Sequence, residues 1–351
     1  MQRQVGVELQ DQNGHVRRDQ RATDHRVAQH AQIAHHVVTF SCDLRRRRRP
    51  IMPRLPDRCT RARHGRLRPS RYTAIMPVDL DARVVSNVRL SADYNVVHLE
   101  APSLAANAEP GQFVMVKPTA GLRPLLRRPF SICELLIDAG GAPTGFSLLN
   151  KRVGVGTTLL YGVEIDQRIG CLGPLGAGFA AVDPPETAWM VAGGVGIAPF
   201  LSLASALQRR GTPAMLFYGG RGADDLFYLD AFTRLDVRLV LATEDGSQGE
   251  AGLVTASLAR ELESTEATRP TIYACGPTPM MRAVADLAAS HARPCQVSLE
   301  PVMGCGMGGC YSCVVPTRAT RDAPAHLVRG CIDGPVFDAQ QVVWDRLAPV
   351  V

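Results

Sequence analysis

Three cysteines fall within nine positions, Cys305-Gly-Met-Gly-Gly-Cys310-Tyr-Ser-Cys313, and a fourth, Cys331, follows after seventeen intervening residues. Such close spacing belongs to a metal site and not to a distributed disulfide framework. Four thiolates form the ligand set of a [2Fe-2S] cluster, and C-x4-C-x2-C is the opening of its plant-type version. A zinc site made of four cysteines is the competing reading. Zinc sites usually come as two CxxC-like pairs, whereas here the fourth cysteine stands alone. Gly304, Gly306, Gly308 and Gly309 would let the backbone wrap closely and aim N–H groups at sulfur. The scattered Cys133, Cys171 and Cys295 are expected to be ordinary free thiols.

Two further stretches have the chemistry of a flavin nucleotide site. Arg128-Pro129-Phe130-Ser131 opens a strand-like segment. Its guanidinium could neutralise a pyrophosphate, and its serine hydroxyl could reach a flavin ring. Asn150-Lys151-Arg152-Val153-Gly154-Val155-Gly156-Thr157 then places a Gly-x-Gly-Thr turn before a short helix, where free N–H groups suit phosphate. Taken singly, each piece also reads as a plain strand start or glycine turn.

A third group suits a dinucleotide. Gly193-Gly194-Val195-Gly196-Ile197-Ala198-Pro199 joins an apolar strand to a helix, with Pro199 fitting the first helical turn. Thr243-Glu244-Asp245-Gly246-Ser247 follows another strand, offering Thr243 and Asp245 as polar contacts. Cys275-Gly276-Pro277 follows a third strand and precedes a helix containing Met280. All three loops should share the carboxyl rim of one sheet, where α/β proteins bind ligands.

The surrounding pattern supplies two scaffolds. From Met76 to about Asp183 short strands alternate with Gly and Pro: Val84–Leu90, Val96–Glu100, Phe113–Lys117, Phe130–Leu136 and Gly145–Asn150. This predicts an antiparallel barrel over residues 76–183. Over 184–300 strands alternate with helices. The strands are Ala188–Ala192, Ala214–Tyr218, Val237–Ala242, Thr271–Ala274 and Gln296–Leu299; the helices are Ala198–Gln208, Leu253–Leu262 and Met280–His291. That alternation predicts a parallel sheet covered on both faces. Residues 301–351 are Cys- and Gly-rich, with too little apolar periodicity for a core of their own.

Charge is unevenly distributed. Residues 1–75 hold 17 arginines against 6 acidic residues, while 76–351 hold 22 basic and 27 acidic ones. The leader, with five consecutive arginines from Arg45 to Arg49, could suit a nucleic-acid arm or a transit peptide, but is read as a disordered or untranslated extension. The acidic balance of the remainder argues against a nucleic-acid binder. No apolar run is long enough for a membrane span, and no export signal is visible, so a cytoplasmic setting is expected.

The order of these motifs resembles the ferredoxin–NADP reductase superfamily, and within it the electron-transfer subunits of NAD-dependent dihydroorotate dehydrogenases. The likeness runs from about Val78 to Phe337 and includes the closing Cys331-Ile-Asp-Gly-Pro-Val-Phe337. It implies FAD contacts at Arg128, Pro129, Phe130, Ser131, Asn150, Lys151, Arg152, Val153, Gly156 and Thr157. It implies NAD contacts at Gly193, Gly194 and Gly196, with Cys275 near the hydride-transfer face, and a [2Fe-2S] cluster on the four cysteines. The implied partner is an FMN-containing dihydroorotate dehydrogenase catalytic subunit, in a heterotetramer of two of each. Electrons would run from dihydroorotate to NAD+ in pyrimidine biosynthesis. Subunits of sulfide dehydrogenases or ferredoxin–NADP transhydrogenases are similar, but typically carry Asp at the first cluster position. Stand-alone reductase components tend to carry a larger ferredoxin domain. The gap between Cys313 and Cys331 is longer than the resemblance leads one to expect, and a surface loop around Thr317–Pro324 should absorb it.

Overall fold

The strand pattern expected after Met76 begins at once in the computed structural model, which describes residues 76–264, 269–320 and 322–347. The basic leader, 1–75, lies outside the described residues. The first sheet is built from β1 (Val78–Arg89), β2 (Tyr94–Glu100), β3 (Phe113–Lys117), β4 (Arg128–Ser131), β5 (Glu134–Ile137), β6 (Pro143–Lys151) and β7 (Arg168–Leu175). Two short helices accompany them, α1 (Pro102–Ala105) and α2 (Val155–Tyr161). Strand order is β4-β3-β7-β1-β2-β6-β5, and every pairing is antiparallel. The edges β4 and β5 are separated in the chain only by Ile132 and Cys133, so the sheet curls back on itself as a half-barrel. Val84, Val97, Leu99, Val114, Phe146 and Leu148 fill its interior. The single strand expected over Phe130–Leu136 is therefore two strands: buried Ile132 and Cys133 turn the corner between opposite edges.

The second sheet contains β8 (Thr187–Gly193), β9 (Ala214–Gly220), β10 (Val237–Thr243), β11 (Glu250–Ala251), β12 (Pro270–Cys275) and β13 (Cys295–Ser298). Between them run α3 (Ala198–Arg210), α4 (Leu229–Arg234), α5 (Val254–Ser264) and α6 (Thr278–Ser290). The order is β11-β10-β9-β8-β12-β13, all parallel. Strand β8 explains why its sequence is apolar throughout. Ala188, Met190 and Ala192 pack with α3, while Trp189 and Val191 pack with α5 and α6 on the other face.

The C-terminal segment adds a hairpin, β14 (Val314–Thr317) with β15 (His326–Arg329), and then β16 (Val336–Asp338). The extra length between Cys313 and Cys331 is this hairpin and its connecting loop. Strand β16 lies antiparallel against β13, completing the nucleotide-type sheet. Val315, Phe337, Ala339 and Val342 share the core of α5 and α6, which is how a segment with little apolar periodicity finds a core. No helix among the described residues is long and apolar enough to cross a membrane.

Candidate functional site

The four cysteines of the C-terminal segment are brought together, and at different depths. Cys313 and Cys331 are buried at 2% and 1% exposure, Cys305 is half-buried and Cys310 is exposed. Backbone N–H groups point at sulfur: Gly308 donates to Cys331 Sγ at 3.2 Å and Met307 to Cys305 Sγ at 3.4 Å. Ser312 Oγ lies 3.2 Å from Cys310 Sγ and accepts the Gly304 N–H at 2.8 Å. The Ser312 hydroxyl and neighbouring N–H groups pull the Cys310 thiol down to about 6, whereas burial, with the Cys313 thiol adding to it, pushes Cys331 up to about 12.

Among the described residues no three His, Cys, Asp or Glu side chains converge on a single ion position. Cys310 interacts with Cys305, and Cys331 with both Cys313 and Cys305, so the four thiols neighbour one another in a chain. A set of four thiols is the donor set of a two-iron centre. The cysteine loop rests on the barrel. Met303, Cys313, Cys331 and Ile332 share an apolar cluster with Phe113, Met115, Leu172 and Leu175. Gly306 has φ +74°, and a Cβ there would lie 2.5 Å from Met115 Cγ, so only glycine fits.

Strand β4 is the half-buried edge neighbour of β3, with Met115 opposite Pro129 and Phe113 opposite Ser131. Its Arg128 lies over Gly156, where a Cβ would approach Arg128 Cγ to 3.2 Å. Thr157 Oγ1 accepts the N–H groups of Val153 and Gly154, both at 2.9 Å, and donates to Gly154 O at 3.0 Å. The hydroxyl thus closes the turn, leaving the first N–H groups of α2 without an intrahelical acceptor. These N–H groups, with Arg128 beside them, could hold a pyrophosphate. Lys151 is half-buried, while Arg152 and Val153 are exposed at its rim.

Asn150 belongs to a buried amide ladder absent from the sequence expectations. Its Nδ2 donates to Asn95 Oδ1 at 2.7 Å and to Thr157 O at 3.0 Å. Asn95 Nδ2 donates to Asn87 Oδ1 at 2.7 Å, and Asn87 Nδ2 to Tyr161 O and Val163 O at 3.1 and 2.8 Å. Three strands thereby grip both ends of α2.

The glycine loop after β8 and the loop after β12 meet along one side of a cleft of 600 Å³. Gly196 is required by the contact itself, since a Cβ would lie 2.3 Å from Cys275 O. Gly193, Gly194, Gly276, Pro277 and Met280 line this cleft. Cys275 sits behind the wall, fully buried. Burial raises its thiol well above the ordinary range, the Glu300 carboxyl adds to that, and a Ser298 hydrogen bond opposes it. Thr243 is also buried, its hydroxyl closing a turn with Gln248, and Asp245 Oδ1 accepts from Ser247 Oγ at 2.6 Å.

The sequence reading missed several lining residues, among them Tyr94, Lys151 as a cleft residue, Arg221, Glu244 and Glu300. Tyr94 brings the barrel to the cleft; its ring packs 4.7 Å from Phe227, with Lys151 Nζ 5.1 Å from the ring centroid. Glu300 is exposed on the cleft wall, and the protein packed around its carboxyl raises its pKa. Glu300 lies two residues past the end of β13, a position a search for carboxylates at strand ends would have found.

Comparison with known proteins agrees with this geometry. Residues 190–286 match the oxidoreductase NAD-binding domain, and residues 300–343 match the iron-sulfur cluster binding domain of dihydroorotate dehydrogenase B. The electron transfer subunit of dihydroorotate dehydrogenase B (NAD(+)) from Desulforamulus reducens is 34% identical over 266 residues, covering 76% of this chain and 98% of the relative. The subunit of the same name from Bacillus caldolyticus is 39% identical over 238 residues, covering 67% of this chain and 87% of the relative. Among solved structures, an NADH-dependent reduced ferredoxin-NADP oxidoreductase superposes with a TM-score of 0.66 at 29% identity, over 76% of this chain and 91% of that one. The ferredoxin reductase of carbazole 1,9a-dioxygenase shares the fold, with a TM-score of 0.53 at 24% identity over 63% and 68% of the two chains. This chain belongs to the family of electron-transfer subunits of dihydroorotate dehydrogenase B, the NAD(+)-linked type.

Proposed function

We propose that this chain carries electrons from an FMN-containing catalytic subunit that oxidises dihydroorotate to NAD+, within an assembly of two copies of each subunit. The setting is cytoplasmic pyrimidine (UMP) biosynthesis. Residues 76–183 serve as the FAD barrel, 184–300 as the NAD domain and 301–351 as the cluster module. Cys305, Cys310, Cys313 and Cys331 are the cluster ligands. Arg128 to Ser131, with the turn from Asn150 to Thr157, hold FAD. The cleft lined by Gly193, Gly194, Gly276, Pro277 and Met280 holds NAD.

When bound, the flavin exchanges a hydride on its nicotinamide side and single electrons on its cluster side. The protein's own work is placement. Arg128 and the free N–H groups at the start of α2 offset phosphate charge, and Thr157 keeps that turn closed. Buried Cys313 and Cys331 form the inner side of the cluster site, and exposed Cys310 the side a partner can approach.

The observation that carries the reading is adjacency. The cysteine loop packs on Met115 of β3, β3 is hydrogen-bonded to β4, and Tyr94 and Lys151 carry the barrel to the nucleotide cleft. The test is purification with both cofactors reconstituted, followed by anaerobic absorbance spectroscopy. NADH should bleach a flavin band and a broad cluster band. Mixing with an FMN-containing dihydroorotate dehydrogenase catalytic subunit should then give dihydroorotate-dependent NAD+ reduction. A preparation that binds neither iron nor flavin overturns the proposal.

A further inference from the structure

The cleft has two chemically different ends, and the proposed reading fixes which part of a dinucleotide meets each. The nicotinamide must face the flavin, so it belongs where Tyr94 and Lys151 of the barrel meet Gly193 and Gly276. The adenosine then extends toward the tips of β9 and β10, where Arg221, Glu244 and Thr255 line the wall.

At that far end most polar groups are already committed. Arg221 Nε donates to Asp225 Oδ2 at 2.8 Å, and Arg221 in turn holds the Asp225 carboxyl below the ordinary range, so the pair stays ionised and matched. Asp245 is held by Ser247, whose hydroxyl also accepts the Ala223 N–H at 2.8 Å. The two tips are stitched by Glu244 N–H to Gly220 O and Asp245 N–H to Arg221 O, both at 3.1 Å. Glu244 alone among these carboxylates is exposed to the cleft with no ion pair among the described residues, on a backbone fixed from both sides.

We infer that Glu244 sets the choice between the two nicotinamide dinucleotides, accepting hydrogen bonds from the adenosine ribose hydroxyls and repelling a 2′-phosphate. A carboxylate is acceptor-only and matches a vicinal diol. A 2′-phosphate would add up to two negative charges beside it, while Arg221, whose Nε is held by Asp225, already answers the charges of Asp225 and Glu244. Asp245, singled out from sequence on the same loop, contributes the turn and not the contact.

The test rests on the cleft reading and is built to separate the two. Calorimetric titration of the flavin- and cluster-loaded protein compares ADP-ribose with 2′-phospho-ADP-ribose, in the wild type and in Glu244→Gln. The wild type should favour ADP-ribose by about tenfold or more, and Glu244→Gln should narrow that ratio by about fivefold, chiefly through tighter binding of the phosphorylated probe. Binding of ADP-ribose with an unchanged ratio in Glu244→Gln overturns the inference and leaves the cleft reading standing. No binding of ADP-ribose by the wild type overturns both.

Discussion

The phosphate-type turn of the barrel and the cysteine loop of the C-terminal segment both bend glycine-containing backbone around a cofactor site, but different forces hold them. The turn is held by polar side chains: Asn87, Asn95 and Asn150 spend their amides on one another and on the carbonyls of α2, and Thr157 closes the entry. Buried amides with partners at 2.7 Å fix direction as well as distance, and losing one strands the others. The cysteine loop is held by shape. It lies on Phe113, Met115, Leu172 and Leu175, and its internal hydrogen bonds go mostly to sulfur or to Ser312. A site built this way depends on its thiolates being drawn to a common centre. On the proposed assignment, the flavin turn is organised by the chain's own hydrogen bonds, whereas the cluster loop is expected to draw part of its order from what it binds.

The sharpest way to break the comparison is to exchange losses between the regions. Cys331→Ala should abolish cluster iron, measured by iron assay and loss of the broad visible absorption, while FAD remains bound and is still reduced by NADH. Retention of iron would remove Cys331 from the ligand set. Asn95→Leu is the reciprocal change. It removes two buried amide contacts at about 1–3 kcal/mol for the groups left unpaired, so the FAD dissociation constant should rise roughly 10- to 100-fold with iron content unchanged. If flavin affinity stays within twofold of the wild type, the ladder does not organise the turn.

How far the sequence carries this picture depends on the kind of signal. Periodicity located Phe113–Lys117 and the nucleotide strands other than the two-residue β11 to within a residue or two, because alternation and apolar runs report burial directly. Strand β7 escaped, since Gly170, Gly173 and Pro174 interrupt the pattern while meeting close neighbours in the barrel. Strand β16 has only three residues and no period to read. At the strand ends, the loops singled out from sequence do border the cleft, but a residue's orientation there is set by twist and packing. Hence Thr243 and Cys275 face inward while Glu244 and Glu300 line the cleft. The asparagine ladder joins positions 8 and 55 residues apart, and such pairings follow from strand register alone.

A milder change probes whether shape alone holds the cysteine loop. Gly306→Ala adds one methyl against Met115 at a positive φ, which should cost about 1–3 kcal/mol through overpacking and backbone strain. The loop should lift slightly from β3. Stopped-flow absorbance should then detect slower electron passage between flavin and cluster, with flavin reduction by NADH unaffected. Restoring space with Met115→Ala in the same chain should recover much of the rate; failure to recover would mean that the strain at φ, not the contact, is what matters.

The smallest effect concerns the cleft, where neither a ladder nor a packed loop controls the charge. The protein around it raises the Glu300 pKa above its ordinary value, so on raising the pH it passes from neutral to anionic later than an ordinary glutamate. Its charge is felt by Cys275, at the end of the cleft assigned to nicotinamide. The oxidised ring carries a positive charge that the reduced ring lacks. Ionised Glu300 therefore favours NAD+ over NADH, whereas neutral Glu300 is indifferent. The ratio of NAD+ to NADH affinity should rise severalfold, roughly two- to fivefold, as pH increases through the Glu300 titration. In Glu300→Gln it should be flat across the same range. A wild-type ratio that stays flat with pH would overturn this and place the carboxyl nearer the pyrophosphate, whose charge both forms share, than the ring.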